Sequence, residues 1–128
     1  PAGSHDAMAL ALITGASSGI GLELARRFAE HGYDLVIAAD DAQIHVAAKK
    51  LGSSGVNVRP VQVDLRTGDG VDDLYRRVGT EGRPLDAVAL NAGVGLGGSF
   101  IDSTVADALA VVDLNVRSTV HLAKLVLP

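Results

Sequence analysis

The segment Thr14-Gly15-Ala16-Ser17-Ser18-Gly19-Ile20-Gly21 places three glycines and two serines between an apolar run and a stretch of helical periodicity. Backbone amides at the start of a helix, together with the positive end of the helix dipole, bind anionic phosphate groups. Glycine suits such a turn because a Cβ would hold the phosphates away from the backbone. Glycines also serve tight turns and close helix packing, so a purely structural role remains the alternative for this segment taken alone.

Two carboxylates follow the next apolar run. Asp40 stands 19 residues after Gly21, close to the spacing at which a carboxylate meets the adenosine ribose of a bound dinucleotide. A carboxylate at that point accepts hydrogen bonds from ribose hydroxyls and repels a 2′-phosphate. Asp41 precedes the helical segment 42–51 and can instead cap its first free amides. We assign the ribose role to Asp40 and the cap to Asp41.

The elements that must position these residues follow from an alternation of apolar runs with helical periods, which is typical of βαβ units around a parallel sheet. Strands are predicted at 9–14, 34–39, 56–63 and 86–90. The first run has no polar alternation and is expected to be buried on both faces. Pro60 cannot donate a ladder hydrogen bond, so the third strand is expected at an edge. We predict one α/β domain, a Rossmann-like doubly wound parallel sheet in the order 3-2-1-4, truncated after the helix that carries Asn115.

The first helix is predicted from the stripe Ile20, Leu24 and Phe28, with Gly32 at its end. Two further helices are predicted at 42–51 and 71–78.

The final helix carries two apolar stripes. One is expected to face the sheet and comprises Val105, Leu109, Val112, Val116 and Val120. The other is expected to face a missing helix or a partner subunit and comprises Val111, Leu114, Leu122 and Leu125. Because the fourth strand would also be an open edge, we expect a homo-oligomer.

Composition narrows the possible functions. The net charge is −4 and lysines and arginines are dispersed, which argues against nucleic acid or an anionic membrane surface as a partner. Cysteine is absent and no two histidines have metal-ligand spacing, so no metal site is predicted. No apolar stretch is long enough to span a membrane, and a soluble, cytoplasmic protein is expected. Residues 1–7 look like an expression-tag remnant, which leaves 8–128 as the domain.

The glycine-rich octapeptide resembles the cofactor loop of the short-chain dehydrogenase/reductase family. The resemblance continues in three further motifs in the family's order: Val63-Asp64-Leu65, Asn91-Ala92-Gly93 and Asp113-Leu114-Asn115-Val116. Together the four motifs cover the chain from Met8 to Pro128. One departure is Leu90, where many members of the family carry a second asparagine.

The resemblance implies roles for the matching residues. Gly15, Gly19 and Gly21 would shape the phosphate loop, and Ser17, Ser18 and Ile20 would offer amides or hydroxyls. Asp64 would accept the adenine amino group, with Leu65 beside it. The residues expected behind the nicotinamide ribose are Asn91, Ala92 and Gly93.

The resemblance also implies the chemistry, which is hydride transfer between a nicotinamide cofactor and an alcohol or carbonyl substrate. Asn115 matches the asparagine of the Asn-Ser-Tyr-Lys tetrad. Neither Tyr33 nor Tyr75 is followed by lysine at the fourth position, so the chain is expected to be the catalytically incomplete N-terminal half of such an enzyme. The lack of a basic residue in the glycine loop or immediately after the second strand favours NAD over NADP.

Three alternatives remain from the sequence. One is a naturally short, non-catalytic dinucleotide-binding or scaffolding module. Another is a truncation product that assembles through exposed core. A methyltransferase is the third, because those enzymes also place a glycine-rich turn after a first parallel strand, although Asn91-Ala92-Gly93 and Asn115 argue against it.

Overall fold

A computed structural model describes residues 9–91, 104–106, 109 and 118–126 of the chain. The strands are β1 (Leu10–Thr14), β2 (Asp34–Ala39), β3 (Val58–Gln62) and β4 (Ala87–Ala89). The helices are α1 (Gly19–Glu30), α2 (Gln43–Gly52), α3 (Gly68–Gly79) and α4 (Ser118–Val126). The predicted alternation of strands and helices is confirmed, although β3 and β4 are each shorter at both ends than the apolar runs suggested.

The four strands form one parallel sheet in the order β3-β2-β1-β4. This is the predicted order, and β3 with its Pro60 lies at an edge, where Pro60 stands opposite Ile37. An edge position tolerates proline because only one side of the strand needs a complete hydrogen-bond ladder. The sheet therefore brings the carboxyl ends of all four strands to one side.

Two apolar clusters cover the two faces of the sheet. Alternate β1 residues enter different clusters, with Ala11 and Ile13 on the side of α1 and α2, and Leu10 and Leu12 on the side of α3. All five β1 residues are buried, which confirms the prediction of a central strand. Burial on both faces explains why the run shows no polar alternation.

Helix α1 ends at Glu30 and is followed, as predicted, by Gly32, which has a φ of 84°. The amide of Tyr33 donates to the carbonyl of Phe28 at 3.0 Å, and their rings meet edge to face with centroids 4.9 Å apart. A glycine is favoured at this position because its φ lies in the left-handed region. The turn leads the chain directly into β2.

The stripe of Ile20, Leu24 and Phe28 correctly predicts helix α1, but only Phe28 packs against the core. Ile20 is 73% exposed and Leu24 is 36% exposed, whereas Ala25 is fully buried. The face against the sheet consists of the small residues Gly21, Ala25 and Ala29. Small side chains let the helix lie close to the strands, and this close approach leaves Ile20 and Leu24 exposed.

The predicted orientation of the last helix is also wrong where the structure describes it. Val105, Leu109 and Val120, which were expected to face the sheet, are exposed, while Leu125 packs against the apolar cluster that contains Leu74. For Val120 and Leu125 the physical reason is that α4 packs on α3. The remaining residues of the two stripes lie outside the described residues: Val111, Val112, Leu114, Val116 and the Leu122 side chain.

Polar side chains connect the amino ends of the strands. The buried Asp34 carboxylate, which is 4% exposed, accepts hydrogen bonds at 2.8 Å from the Asn57 amide and from Arg83 Nη2. Asp86 accepts the Leu10 amide at 2.9 Å and donates its own amide to the Leu10 carbonyl at 2.8 Å. These bonds fix the side of the sheet opposite the glycine loop.

Within the described ranges, no helix has both the length and the apolar character needed to cross a membrane.

Candidate functional site

The candidate site lies at the carboxyl edge of the sheet, where four connections meet. They are the loop after β1, the pair Asp40 and Asp41 after β2, the turn that begins at Asp64 after β3, and Asn91 after β4. In open parallel sheets this edge is where ligands bind. Because β1 lies between β2 and β4, the loop after β1 lies between the residues that follow β2 and those that follow β4.

The glycine loop leads directly into α1. Gly15 and Gly19 have φ values of 65° and 59°, a backbone region that residues with a Cβ rarely adopt. Ser18 precedes the helix in an extended conformation, and its side chain makes no capping hydrogen bond. The Ser18 side chain therefore does not cap the first amides of α1, which is compatible with a phosphate site.

Gly21 sits in the tightest part of the loop. A Cβ added to Gly21 would overlap the Gly15 carbonyl oxygen and would lie 2.6 Å from the Gly15 carbonyl carbon and 2.9 Å from Nδ2 of Asn91. No side chain fits at this point without moving the backbone. The third glycine of the motif is thus required for the helix to pack against the loop.

Two backbone contacts hold the loop against the neighbouring strands. The Ala16 amide donates to the Ala38 carbonyl of β2 at 3.2 Å. On the other side, the Asn91 amide donates to Oγ1 of the buried Thr14 at 2.9 Å. The loop after β1 is therefore fixed from both β2 and β4.

Asp41 performs two tasks. Its Oδ1 accepts the amide of Gln43, the first residue of α2, at 3.0 Å, which is the bond predicted for Asp41, although Ala42 occupies the N-cap position. Its Oδ2 accepts the Ser17 hydroxyl at 3.1 Å, a contact across 24 positions that the sequence did not reveal. The bond places the Asp41 carboxylate directly beside the glycine loop.

Asp40 is exposed at the end of β2. Its backbone carbonyl accepts a hydrogen bond from Gln62 Nε2 at 3.4 Å. In the part of the chain that the structure describes, no hydrogen bond to the Asp40 carboxylate is found. Its position beside the loop leaves that carboxylate accessible to a ligand.

Asp64 is engaged by Arg66 in a compact turn. Asp64 Oδ1 accepts the Arg66 amide at 2.9 Å and Arg66 Nε at 3.0 Å, while Oδ2 accepts Arg66 Nη2 at 3.2 Å. These hydrogen bonds from the side chain and backbone of Arg66 hold the pKa of the Asp64 carboxyl below its ordinary value. The carboxylate is consequently ionised and fixed in orientation.

Arg66 is a cation at this edge that the sequence analysis missed. Asp64 raises the pKa of its guanidinium above the ordinary value, and Asp40 contributes in the same direction. The sequence-based preference for NAD depends on the glycine loop and the residues after β2, but β3 pairs with β2 and brings Arg66 to the same end of the sheet. The predicted sheet order, in which β3 lies next to β2, could have identified Arg66 as a cation near Asp40.

The other predicted site residues divide into two groups. The Leu65 side chain is buried in the core, so only its backbone can face a ligand, whereas the Ile20 side chain projects from the start of α1 into solvent. Ala92, Gly93 and Asn115 lie outside the described residues. The structure thus brings Gly15, Gly21 and Asn91 together and places the Asp40, Asp41 and Asp64 carboxylates along the same edge.

Residues 9–128 match the model of a protein family described as short chain dehydrogenase. Among curated proteins, oxidoreductase UcpA of Salmonella typhimurium is 39% identical over 119 residues, which is 92% of this chain and 45% of the relative. The uncharacterized oxidoreductase YmfI of Bacillus subtilis is 36% identical over 121 residues, which covers 92% of this chain and 49% of that protein. The chain spans about half the length of these relatives.

Solved structures agree with the family match. L-sorbose reductase from Gluconobacter frateurii, complexed with NADPH and L-sorbose, is 34% identical with a TM-score of 0.86 over 94% of this chain and 47% of that one. A short-chain dehydrogenase from Sphingobium yanoikuyae in complex with NADPH is 35% identical with a TM-score of 0.82 over 93% of this chain and 47% of that one.

Proposed function

Because the chain belongs to the short chain dehydrogenase family, we propose that it forms the coenzyme-binding part of an oxidoreductase acting on an alcohol or carbonyl compound. The observation that carries this proposal is the packing of Gly21 against the Gly15 carbonyl and Asn91. That packing leaves the amides at the start of α1 beside a loop without bulky side chains. This arrangement suits a nicotinamide dinucleotide, because the backbone must come close to its pyrophosphate.

The proposed arrangement assigns the phosphates to the loop between Gly15 and Gly21. The Asp40 carboxylate would accept hydrogen bonds from the adenosine ribose, and Asp64 would accept one from the adenine amino group. Asn91, Ala92 and Gly93 would lie behind the nicotinamide ribose. When bound, the coenzyme supplies or accepts the hydride.

Proton transfer to the substrate oxygen requires residues beyond those identified in this chain. Asn115 is proposed to belong to the proton-transfer tetrad. None of the 128 residues provides the Tyr-x-x-x-Lys pair, so hydride transfer is proposed for a protein that adds such a pair to this chain. Assembly of several copies stays a prediction.

We propose that NAD(H) is preferred over NADP(H). Asp40 and Asp41 place two carboxylates at the ribose end, and the bond from Ser17 to Asp41 holds one of them against the loop. A 2′-phosphate there would meet two like charges. Against this, the related structures described above contain NADPH, and Arg66 offers a cation near Asp40. Two adjacent carboxylates outweigh one guanidinium that is already bonded to Asp64.

Calorimetry with NADH, NADPH and S-adenosylmethionine tests both the ligand class and the preference. We expect NADH to bind most tightly. Asp40→Ala should weaken NADH binding about ten-fold or more, because charge-assisted hydrogen bonds to the ribose are lost, and should bring the affinities for NADH and NADPH closer together.

The matched control is Glu30→Ala, which changes the net charge equally at the far end of α1. It should leave both affinities unchanged. Tighter binding of NADPH than NADH by the unmodified protein would refute the preference. Binding of S-adenosylmethionine in place of either dinucleotide would refute the proposed function itself.

A further inference from the structure

The turn between β3 and α3 is built to hold Asp64 in one orientation. Its backbone carbonyl accepts hydrogen bonds from the Thr67 amide at 3.3 Å and the Thr67 hydroxyl at 3.0 Å. Thr67 in turn caps α3 by accepting the Gly70 amide at 2.9 Å. A Cβ at Gly70 would overlap the Asp64 carbonyl oxygen. The main chain at Asp64 is therefore fixed by the start of α3.

The Asp64 side chain is fixed separately by Arg66. A carboxylate has about two acceptor sites on each oxygen. Both sites of Oδ1 are taken, by the amide and Nε of Arg66, whereas among the described residues Oδ2 accepts only Nη2 of Arg66. The Asp64 side chain remains 43% exposed, so the second site of Oδ2 can be reached by a ligand.

We infer that Arg66 is a positioning residue for the adenine end of the coenzyme, because it leaves Asp64 a single directed acceptor for the adenine amino group. This inference rests on the proposed function. A planar guanidinium that contacts both oxygens fixes rotation of the carboxylate, which a point charge cannot do. Arg66 thereby makes the site selective for a base that carries an amino group over one that carries a carbonyl at the same position.

The probe for this role is the reduced form of nicotinamide hypoxanthine dinucleotide, in which the adenine amino group is replaced by a carbonyl oxygen. That oxygen and the Asp64 carboxylate are both hydrogen-bond acceptors, so no hydrogen bond can form between them. Calorimetry at pH 7 should therefore show the unmodified protein binding NADH about ten-fold or more tightly than the analogue, since a hydrogen bond to a charged group is lost.

Arg66→Gln should lower this NADH preference about three- to ten-fold, because the carboxylate becomes free to rotate. Arg66→Lys should restore only part of the preference, because an ammonium group keeps the charge without the planar two-point contact. Arg76→Gln is the matched control. It removes one positive charge from an exposed pair with Asp73 and should leave the preference unchanged.

A carboxyl titration followed by NMR without coenzyme separates orientation from charge. Arg66 is the charged group that faces Asp64, and Asp40 is the other carboxylate that acts on Arg66. Arg66→Gln should raise the pKa of Asp64 towards its ordinary value, which still leaves it ionised at pH 7. A selectivity loss at pH 7 then reports orientation rather than protonation.

Two results would overturn the role of Arg66. One is an unchanged pKa of Asp64 in Arg66→Gln, which would mean that the pair does not form in solution. The other is a raised pKa with the same NADH preference as the unmodified protein, which would mean that the pair forms without directing the base. Failure of the unmodified protein to bind either NADH or NADPH would instead overturn the proposed function, and this role with it.

Discussion

Replacing Gly21 with alanine is expected to weaken coenzyme binding strongly and to destabilise the fold. The added methyl group would overlap the Gly15 carbonyl oxygen and approach Asn91 Nδ2 to 2.9 Å. The obstruction is backbone, so α1 must move away from the loop. Overpacking of this kind costs about 1 to 3 kcal/mol of unfolding free energy.

The effect of Gly21→Ala on binding should be larger than its effect on stability. Moving α1 displaces the amides that are proposed to hold the pyrophosphate. Loss of two charge-assisted hydrogen bonds weakens binding by about 100-fold or more. Urea unfolding and calorimetry with NADH measure the two effects.

Gly52→Ala provides the matched control for Gly21→Ala. Gly52 is also a helical glycine, and a Cβ added to it meets no atom within 4 Å. Alanine there should leave NADH affinity unchanged and raise stability by about 0.4 to 1 kcal/mol, because it restricts the unfolded chain. If the two variants have the same NADH affinity and the same stability, the contact between Gly21 and Gly15 does not shape the loop.

Replacing Arg83 with leucine is expected to destabilise the fold strongly, because it removes one partner of a buried ion pair. Asp34 would stay buried and would keep the hydrogen bond from the Asn57 amide, but it would lose the 2.8 Å hydrogen bond from Arg83. Removing one partner of a buried ion pair costs about 3 to 5 kcal/mol. Arg83 is 27% exposed, which places the expected loss near the lower end of that range.

The loss of unfolding free energy in Arg83→Leu should depend on pH. Burial raises the pKa of Asp34, but the hydrogen bonds from Asn57 and Arg83 outweigh it and bring the pKa below the ordinary value. A lowered pKa contributes stability that is complete above the unfolded value, about 3.9, and is lost as pH falls through the folded value. Without Arg83, burial is opposed by fewer hydrogen bonds and the pKa of Asp34 should rise.

Urea unfolding of both proteins between pH 7 and pH 3 tests this dependence. The difference in stability should be greatest at neutral pH and should shrink as pH falls, first through the raised pKa of Asp34 in the variant and then through its lowered pKa in the unmodified protein. Arg26→Leu is the matched control, since Arg26 pairs with Glu23 on an exposed surface and should cost less than about 1 kcal/mol. A difference that stays constant down to pH 3 would contradict the role given to Asp34.

The helix faces illustrate where prediction from the sequence failed. Ile20 and Leu24 have the spacing of a buried stripe, but the structure buries Gly21, Ala25 and Ala29 instead. Periodicity identifies a helix but does not by itself choose between two adjacent apolar faces. The contact of Gly21 with Gly15 makes that choice, and it joins residues in different elements.

The sequence by itself determined the order of elements, the central position of β1, the edge position of β3 and the placement of the glycine loop between β1 and α1. These features depend on local properties, namely the length of apolar runs, the proline in β3, and glycines with left-handed φ. Such local properties can be inferred from the sequence because they involve residues that are neighbours along the chain.

Only the tertiary structure decided which polar groups meet at the ends of the sheet. Ser17 bonds to Asp41 across 24 positions, and Arg83 bonds to Asp34 across 49. Arg66 reaches the neighbourhood of Asp40 because β3 pairs with β2. Such contacts follow from the registers in which parallel strands align, and each register is set by burial on both faces of the sheet rather than by the polar residues themselves.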